Sequence, residues 1–327
     1  MTTGRLGQQA APPNAAYAGQ VVHFPDPVRA ARHPRGVRVD EQGYPDFSPY
    51  ARAAAEIAEP PEGFGIDELR LTDYVSANAA LAADGHELWD TIPAVATPHG
   101  WTWHHAAGTR RLDLVPVEVK ALLRHHGGLA TAPVDQAKRG TRPLQEPRPA
   151  HFGLPKATVA VSEQQILGVE EDLGYRLPGA YRAFLKAAGG CAPVGAALDA
   201  ELGLLIDQPF FTVRDEAGVN DLVYVNKCLR DHLTKDYLAV GFVQGGILAV
   251  KVKGERVGSV WFCAYDDARD QDSWSVGERV ERLLLPCGDD FDAFLARLAG
   301  NPPELETVAN LMVDGGFARA VPATAEG

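Results

Sequence analysis

The sequence predicts an α+β chain built as two units, and three observations predict it. Two short alternating runs, Gly100–His105 and Arg111–Val115, flank a glycine-containing turn and lead into a helical stretch. Further along, Leu238–Val243, Ile247–Val252 and Gly258–Phe262 follow one another at the turn spacing of an antiparallel meander, after a pair of helices. Separating these patterns, residues 132–156 hold five prolines (Pro133, Pro143, Pro147, Pro149, Pro155) and little apolar periodicity, the composition of a linker. A length of 327 residues suits two domains at about 150 residues each.

Taken in order, residues 1–37 are rich in Ala, Pro, Gly and Arg and read as a flexible leader. Ser48–Ile57 reads as a helix, with Ser48 as N-cap and Pro49 in the tolerant first turn. Ile66–Ala83 has helical spacing that lets Leu71, Tyr74, Ala77 and Leu81 share a face. Gly100–His105 alternates, with Trp101 and Trp103 on the side read as core and Thr102 and His104 opposite. Arg111–Val115 returns across Ala106–Arg110 as the second strand of a hairpin. Pro116 then opens a helix over Val117–His125 that Gly127-Gly128 ends. After the linker, Ser162 caps a helix to Leu173 with Ile166, Val169 and Leu173 as its stripe. Leu177-Pro178 opens another helix, which Gly189-Gly190 stops. The meander follows, and Phe291–Leu298 closes as an amphipathic helix. The expected boundaries are a leader over 1–37, a first domain over 38–131, a linker over 132–156, a second domain over 157–300 and a tail over 301–327.

Composition excludes several classes. With 46% hydrophobic and 23% charged residues the chain is neither generally disordered nor fibrous. No apolar run approaches the roughly 20 residues that span a bilayer, so no membrane partner is expected. The first twenty residues lack the apolar core of a secretory signal. Cys191, Cys228, Cys263 and Cys287 form no C-x-x-C pair, which suits reduced thiols in a cytoplasmic protein and leaves non-classical export open. The net charge of −12 is unevenly spread: residues 1–150 carry 15 basic against 17 acidic groups, residues 151–327 carry 16 against 26. The stretch 101–150 is locally basic, with 8 Lys/Arg against 4 Asp/Glu, and holds four of the ten histidines. Overall acidity therefore does not exclude a phosphate-seeking first half.

Adjacent histidines at a strand end, followed by a hairpin and a helix carrying a third, make a geometry suited to metal-dependent phosphodiester cleavage. That chemistry needs a cation to neutralise developing charge and a base to deprotonate water. Because neighbouring strand residues face opposite ways, His104 and His105 can divide the two tasks. The run GWTWHHAAGTRRLDLVPVEVKALLRHHGG resembles the WHH branch of the HNH/endonuclease VII nucleases, His-Me finger toxin domains with a ββα-metal fold. Pro45–Ala51 and Asp73–Ala80 resemble what precedes the finger, so the likeness spans roughly 39–130. It implies His105 as general base, His104 and His125 as ligands of a divalent ion (Mg, Zn or Ni), and nucleic acid as partner. The family's further helix histidine is replaced by Lys120, whose protonated ammonium has no lone pair to ligate. Three readings stay open: His126 or water completes the shell, Lys120 holds a substrate phosphate, or the nuclease-like half is inactive and kept for binding. Arg110 and Arg124 are further phosphate candidates.

The second half shows no nucleophile motif or phosphate loop. Val161–Gly190, VSEQQILGVEEDLGYRLPGAYRAFLKAAGG, resembles the opening of the SUKH superfamily, and the likeness spans about 157–300. It implies an α+β fold with a mixed or antiparallel sheet and the role of an immunity domain that binds a toxin nuclease, its own or a separate one. The acidic charge suits that role, since clustered carboxylates mimic a phosphate backbone. Asp266, Asp267, Asp270 and Asp272, in YDDARDQD, are the candidate partner contacts. One further reading docks this acidic half on the chain's own basic stretch.

Overall fold

A computed structural model describes residues 11–140, 161–191, 196–199, 201–213, 218–300, 305, 310 and 313–323. In the first half, β1 (Val21–Val22), α1 (Pro27–Arg32), β2 (Val37–Val39) and β3 (Pro45–Asp46) make a small antiparallel sheet with one helix. Asp26 caps α1 by accepting from Val28 N–H and Arg29 N–H. The leader expected to be flexible is thus structured from residue 11. Its Phe24 and Val37 are buried with Phe47, Val115 and Val119, so it covers an apolar face of the hairpin unit. Residues 1–10 lie outside the described residues.

The helix expected over Ser48–Ile57 is corrected. Only a 3-10 turn forms, at Ser48–Tyr50, and Ala53–Ile57 is strand β4. β4 is paired along both edges, with Arg111–Pro116 on one side and Ala318–Val321 on the other. Ladder hydrogen bonds from two neighbours override the helical preference of alanine. α2 (Ile66–Ala83) forms with the predicted bounds, and β5 (Trp101–His105) and β6 (Arg111–Pro116) form the hairpin. Trp103 is fully buried, with its indole N–H donated to Asn78 Oδ1 at 2.7 Å, and Trp101 packs beside the same cluster.

α3 (Val117–Lys120) is a single turn and does not reach His125. The backbone of His125 instead forms a parallel bridge with Asp266 in the second half. That pairing engages backbone groups a continuing helix would have used internally. Gly127-Gly128 accordingly ends no helix. Gly127 is the N-cap of α4 (Gly128–Thr131). Of the linker, residues 132–140 are described and anchored: Lys138 donates to Gly63 O, and Gly140 N–H donates to Asp67 Oδ2 at 3.0 Å. The prolines from 143 to 155 lie outside the described residues.

The second half follows its sequence pattern closely. α5 (Glu163–Leu173) starts in a capping box of Ser162 with Gln165, and α6 (Gly179–Ala188) stops at left-handed Gly189, φ 60°. β7 (Ala197–Asp199) and β8 (Leu204–Ile206) form a short ladder, followed by α7 (Leu222–Cys228). β9 (Tyr237–Val243), β10 (Gly246–Lys251) and β11 (Val260–Ala264) make the meander. After α8 (Val276–Leu283), β12 (Leu285–Gly288) completes an antiparallel sheet in the order β12-β11-β10-β9. α9 (Phe291–Arg297) leads to β13 (Ala299–Gly300), which pairs with β7. Cys263 and Cys287 are buried, Cys191 and Cys228 partly so, and all four are free thiols.

The chain then returns to the first half. β14 (Ala318–Val321) pairs with β4, and that sheet runs β14-β4-β6-β5. Two apolar clusters also cross between the halves. Val117 and Ala121 lie in the core of the second half, and Leu71, Val75 and Val95 pack with Leu198 and Leu205. The architecture is therefore α+β with antiparallel sheets, and the second half sits between two segments of the first.

Candidate active site

β5 turns its successive side chains to opposite faces, which separates the paired histidines. His105 faces α2, where its Nε2 lies 2.9 Å from Asp73 Oδ2. The other Asp73 oxygen accepts from Arg110 Nη2 at 2.8 Å. Both His105 and Asp73 are buried, and His105 Nδ1 has no partner. Burial lowers the His105 pKa, and the Asp73 hydrogen bond opposes that shift. A carboxylate on one nitrogen and a bare second nitrogen is the arrangement of an oriented general base.

His104 faces the other way, edge-on to Phe47 at 4.7 Å and to His125 at 5.2 Å between ring centroids. His125 Nδ1 lies 3.1 Å from the Leu123 carbonyl, so in the neutral ring that nitrogen donates and the lone pair sits on Nε2. His104 Nδ1 and His125 Nε2 are buried without partners. Burial holds the His104 pKa well below its ordinary value and pushes His125 down to about 3. Burial thus disfavours the charged form of both rings, and the neutral ring is the form that ligates. Neutral imidazole nitrogens are the kind of donor a divalent ion takes. Among the described residues no group of three His, Cys, Asp or Glu is arranged to hold one. His126 does not add a third: its Nε2 lies 2.9 Å from the Asp270 carbonyl.

Lys120 is interior. Its Nζ donates to the Trp103 carbonyl at 2.5 Å and lies 5.6 Å from the Tyr265 ring centroid and 6.0 Å from that of Tyr74. Burial lowers its pKa to about 7. Arg110 is committed to Asp73 and to the Ala58 carbonyl, and Arg124 lies 3.5 Å from Asp270 Oδ1 and from the Trp274 carbonyl. None of the three basic candidates is presented as a free phosphate contact.

Of the three, Arg124 meets the acidic loop of the second half. Asp266 is 7% exposed. Its Oδ1 accepts from Gly127 N–H (2.8 Å) and Ala130 N–H (3.1 Å), and its Oδ2 from Leu129 N–H (3.0 Å). Asp267 accepts from Arg139 at 3.1 Å as well as from Arg269, and Asp270 is held by the buried Arg279 at 2.8 Å. Asp272 is exposed. Three of the four carboxylates read from the sequence thus meet residues of the same chain's first half. Asp73 was not read as a site residue, although it opens the Asp73–Ala80 segment that resembles what precedes the finger. A further hint is an acid flanked by Leu71 and Tyr74, on a face where a buried charge needs a partner.

Comparison with known families matches these two halves separately. Residues 93–135 match the model of a nuclease of the HNH/endonuclease VII superfamily with conserved WHH. Residues 160–297 match the SMI1/KNR4 family, SUKH-1. No curated protein matches the chain. By class, then, the chain joins a segment similar to HNH/endonuclease VII nuclease domains to one similar to the SUKH-1 family, a pairing of the toxin–immunity type. HNH nucleases generally use divalent metals and act on nucleic acid, and SUKH domains in general have toxins as partners. Among the described residues, no helix is long and apolar enough to cross a membrane.

Proposed function

We propose that the first half hydrolyses phosphodiesters in nucleic acid, with His105 as the general base. The observation that carries this reading is the buried Asp73–His105 pair, whose second imidazole nitrogen is left bare. His105 Nδ1 takes the proton of the attacking water. Asp73 holds the ring in one orientation and stabilises the imidazolium that results, while Arg110 holds Asp73. His104 and His125 would hold the divalent ion. When bound, that ion supplies positive charge against the developing charge on phosphate.

The runner-up is a binding protein whose nuclease-like half is inactive. The observation favouring it is Lys120 at the position where the family offers a histidine, with no metal-holding group of three donors among the described residues.

Nicking of supercoiled plasmid in Mg²⁺, Zn²⁺ or Ni²⁺ separates the two readings. The assay uses the full native chain. His105→Ala is expected to lower the rate by about 10²–10⁴-fold, and Asp73→Asn to lower it with the ring left unoriented. No cleavage by the native chain in any metal, or cleavage indifferent to His105→Ala, would hand the case to the binding protein.

A further inference from the structure

We propose that the second half carries a binding pocket for a nucleoside polyphosphate, walled by the end of α5, by α7 and by the connection from α7 into β9. The pocket stands apart from the nuclease reading, since none of its lining residues belongs to the histidine site.

The sequence already departs from its surroundings here. Residues 222–253 carry five basic groups (Lys227, Arg230, Lys235, Lys251, Lys253) against two acidic ones (Asp231, Asp236), inside a half that carries 16 against 26. The fold gathers Lys227, Arg230, Lys235 and Lys253 round one pocket of about 240 Å³. They reach it from separate places: Lys227 from the last turn of α7, Arg230 and Lys235 from the connection into β9, and Lys253 from the turn between β10 and β11. Asp172 is the one carboxylate in the lining. The floor is apolar, with Leu229 2% and Leu233 6% exposed, and the half-buried Tyr175 and Tyr237 add two rings to the wall.

These cations differ from the others of this half. Arg182, Lys186, Arg256, Arg269, Arg279 and Arg297 each meet a carboxylate. Among the described residues, Lys227, Arg230, Lys235 and Lys253 form no ion pair. Like charges grouped round one concavity repel one another, and a multiply charged anion relieves that repulsion. The tyrosines help to hold the charge at the mouth: Lys253 Nζ lies 5.3 Å from the Tyr175 ring centroid, and Lys251 Nζ 5.3 Å from that of Tyr237. Burial raises the Tyr175 pKa to about 12, so its phenol stays neutral and does not oppose an anion. The apolar floor and the rings ask for a flat, ring-sized body as well as the charge. The volume suits one ring system rather than a stretch of peptide, and a concave site does not fit a flat lipid surface. A nucleoside polyphosphate has both parts: a base to set against tyrosine and leucine, and phosphates for the ammonium and guanidinium groups at the rim.

Isothermal titration calorimetry on the full-length chain tests this, with EDTA present so that no metal bridges nucleotide and protein. The probes are ATP, GTP, adenosine and inorganic tripolyphosphate. ATP or GTP is expected to bind once per chain, about tenfold or more tighter than adenosine or tripolyphosphate, because only the nucleotide fills both parts of the pocket. Lys227→Glu and Lys253→Glu, both at exposed positions, should each weaken nucleotide binding by about tenfold or more, whereas the equal charge change Arg38→Glu in the first half should leave it unchanged. Tyr175→Leu should weaken the nucleotide and spare tripolyphosphate. Three results would overturn the proposal: no nucleotide binding to the native chain, nucleotide binding indifferent to both lysine variants, or tripolyphosphate or adenosine binding as tightly as the nucleotides. Should Tyr175→Leu fail to fold, the ratio of nucleotide to tripolyphosphate affinity on the native chain decides the role of the rings.

Discussion

His105 binds an acid 32 positions away, and that separation is why the sequence does not show Asp73 to be its partner. The histidines are legible because their spacing is local: two neighbours at a strand end and a third after a short connection. Their partners are long-range, so they had to await the packing of α2 against the sheet. Charges on the surface behave differently. Glu163 is held by Arg182 and Lys186, whose hydrogen bonds lower its pKa from 4.5 to about 2. A carboxyl with a depressed folded-state value contributes stability that is complete above pH 4.5 and lost as pH falls through about 2. Melting temperatures of the native chain and Glu163→Gln should therefore differ at pH 6 and converge on acidification toward pH 2. The gap should be small throughout, because exposed ion pairs are well screened. A gap that widened toward pH 2 would contradict the assignment.

At the scale of elements, agreement with the sequence is best where the ends are locally marked. α2 begins and ends where its spacing says, and α5 and α6 keep their caps and terminal glycines. The two departures, β4 and the shortened α3, are both segments captured by remote partners. Residues 53–57 read as helix because alanine favours it, and they become strand because ladders form on both sides. Deleting residues 313–327 removes one of those ladders. Four register pairs, at roughly 0.5–1.5 kcal/mol net per hydrogen bond, imply a loss on the order of 3 kcal/mol. Urea denaturation should show that loss, and hydrogen exchange should show the amides of Ala53–Ile57 becoming labile. Unchanged protection of those amides would mean that β14 is dispensable.

For the whole molecule, the question is whether the halves behave as one body. A second seam, separate from the acidic loop, joins them. Thr97 N–H donates to Asp207 Oδ2 at 2.8 Å, Gly100 N–H donates to Gln208 Oε1 at 2.8 Å, and Gln244 Nε2 donates to Asp207. Burial raises the Asp207 pKa, the mark of a carboxylate enclosed between the halves and satisfied there by hydrogen bonds. With shared apolar clusters and β14 crossing back, the chain should unfold in a single cooperative transition. Calorimetry and near-ultraviolet circular dichroism are expected to give coincident midpoints, and Asp207→Ala should lower that common midpoint. Two resolved transitions would instead describe domains joined only by a linker.

The sequence alone determined the two α+β units, the hairpin with its paired histidines, the caps of the second half and the uneven charge. All of these follow from periodicities and residues within a few positions of each other. Tertiary structure alone decided that Asp73 meets His105, that β4 and β14 are strands of one sheet, and that the acidic loop lies over the basic half. The physical reason is range. Helix periodicity, capping and alternation are local interactions recorded in neighbouring residues. Ladder partners, buried ion pairs and contacts between the halves are chosen only when distant segments compete for the same backbone groups and the same apolar surface.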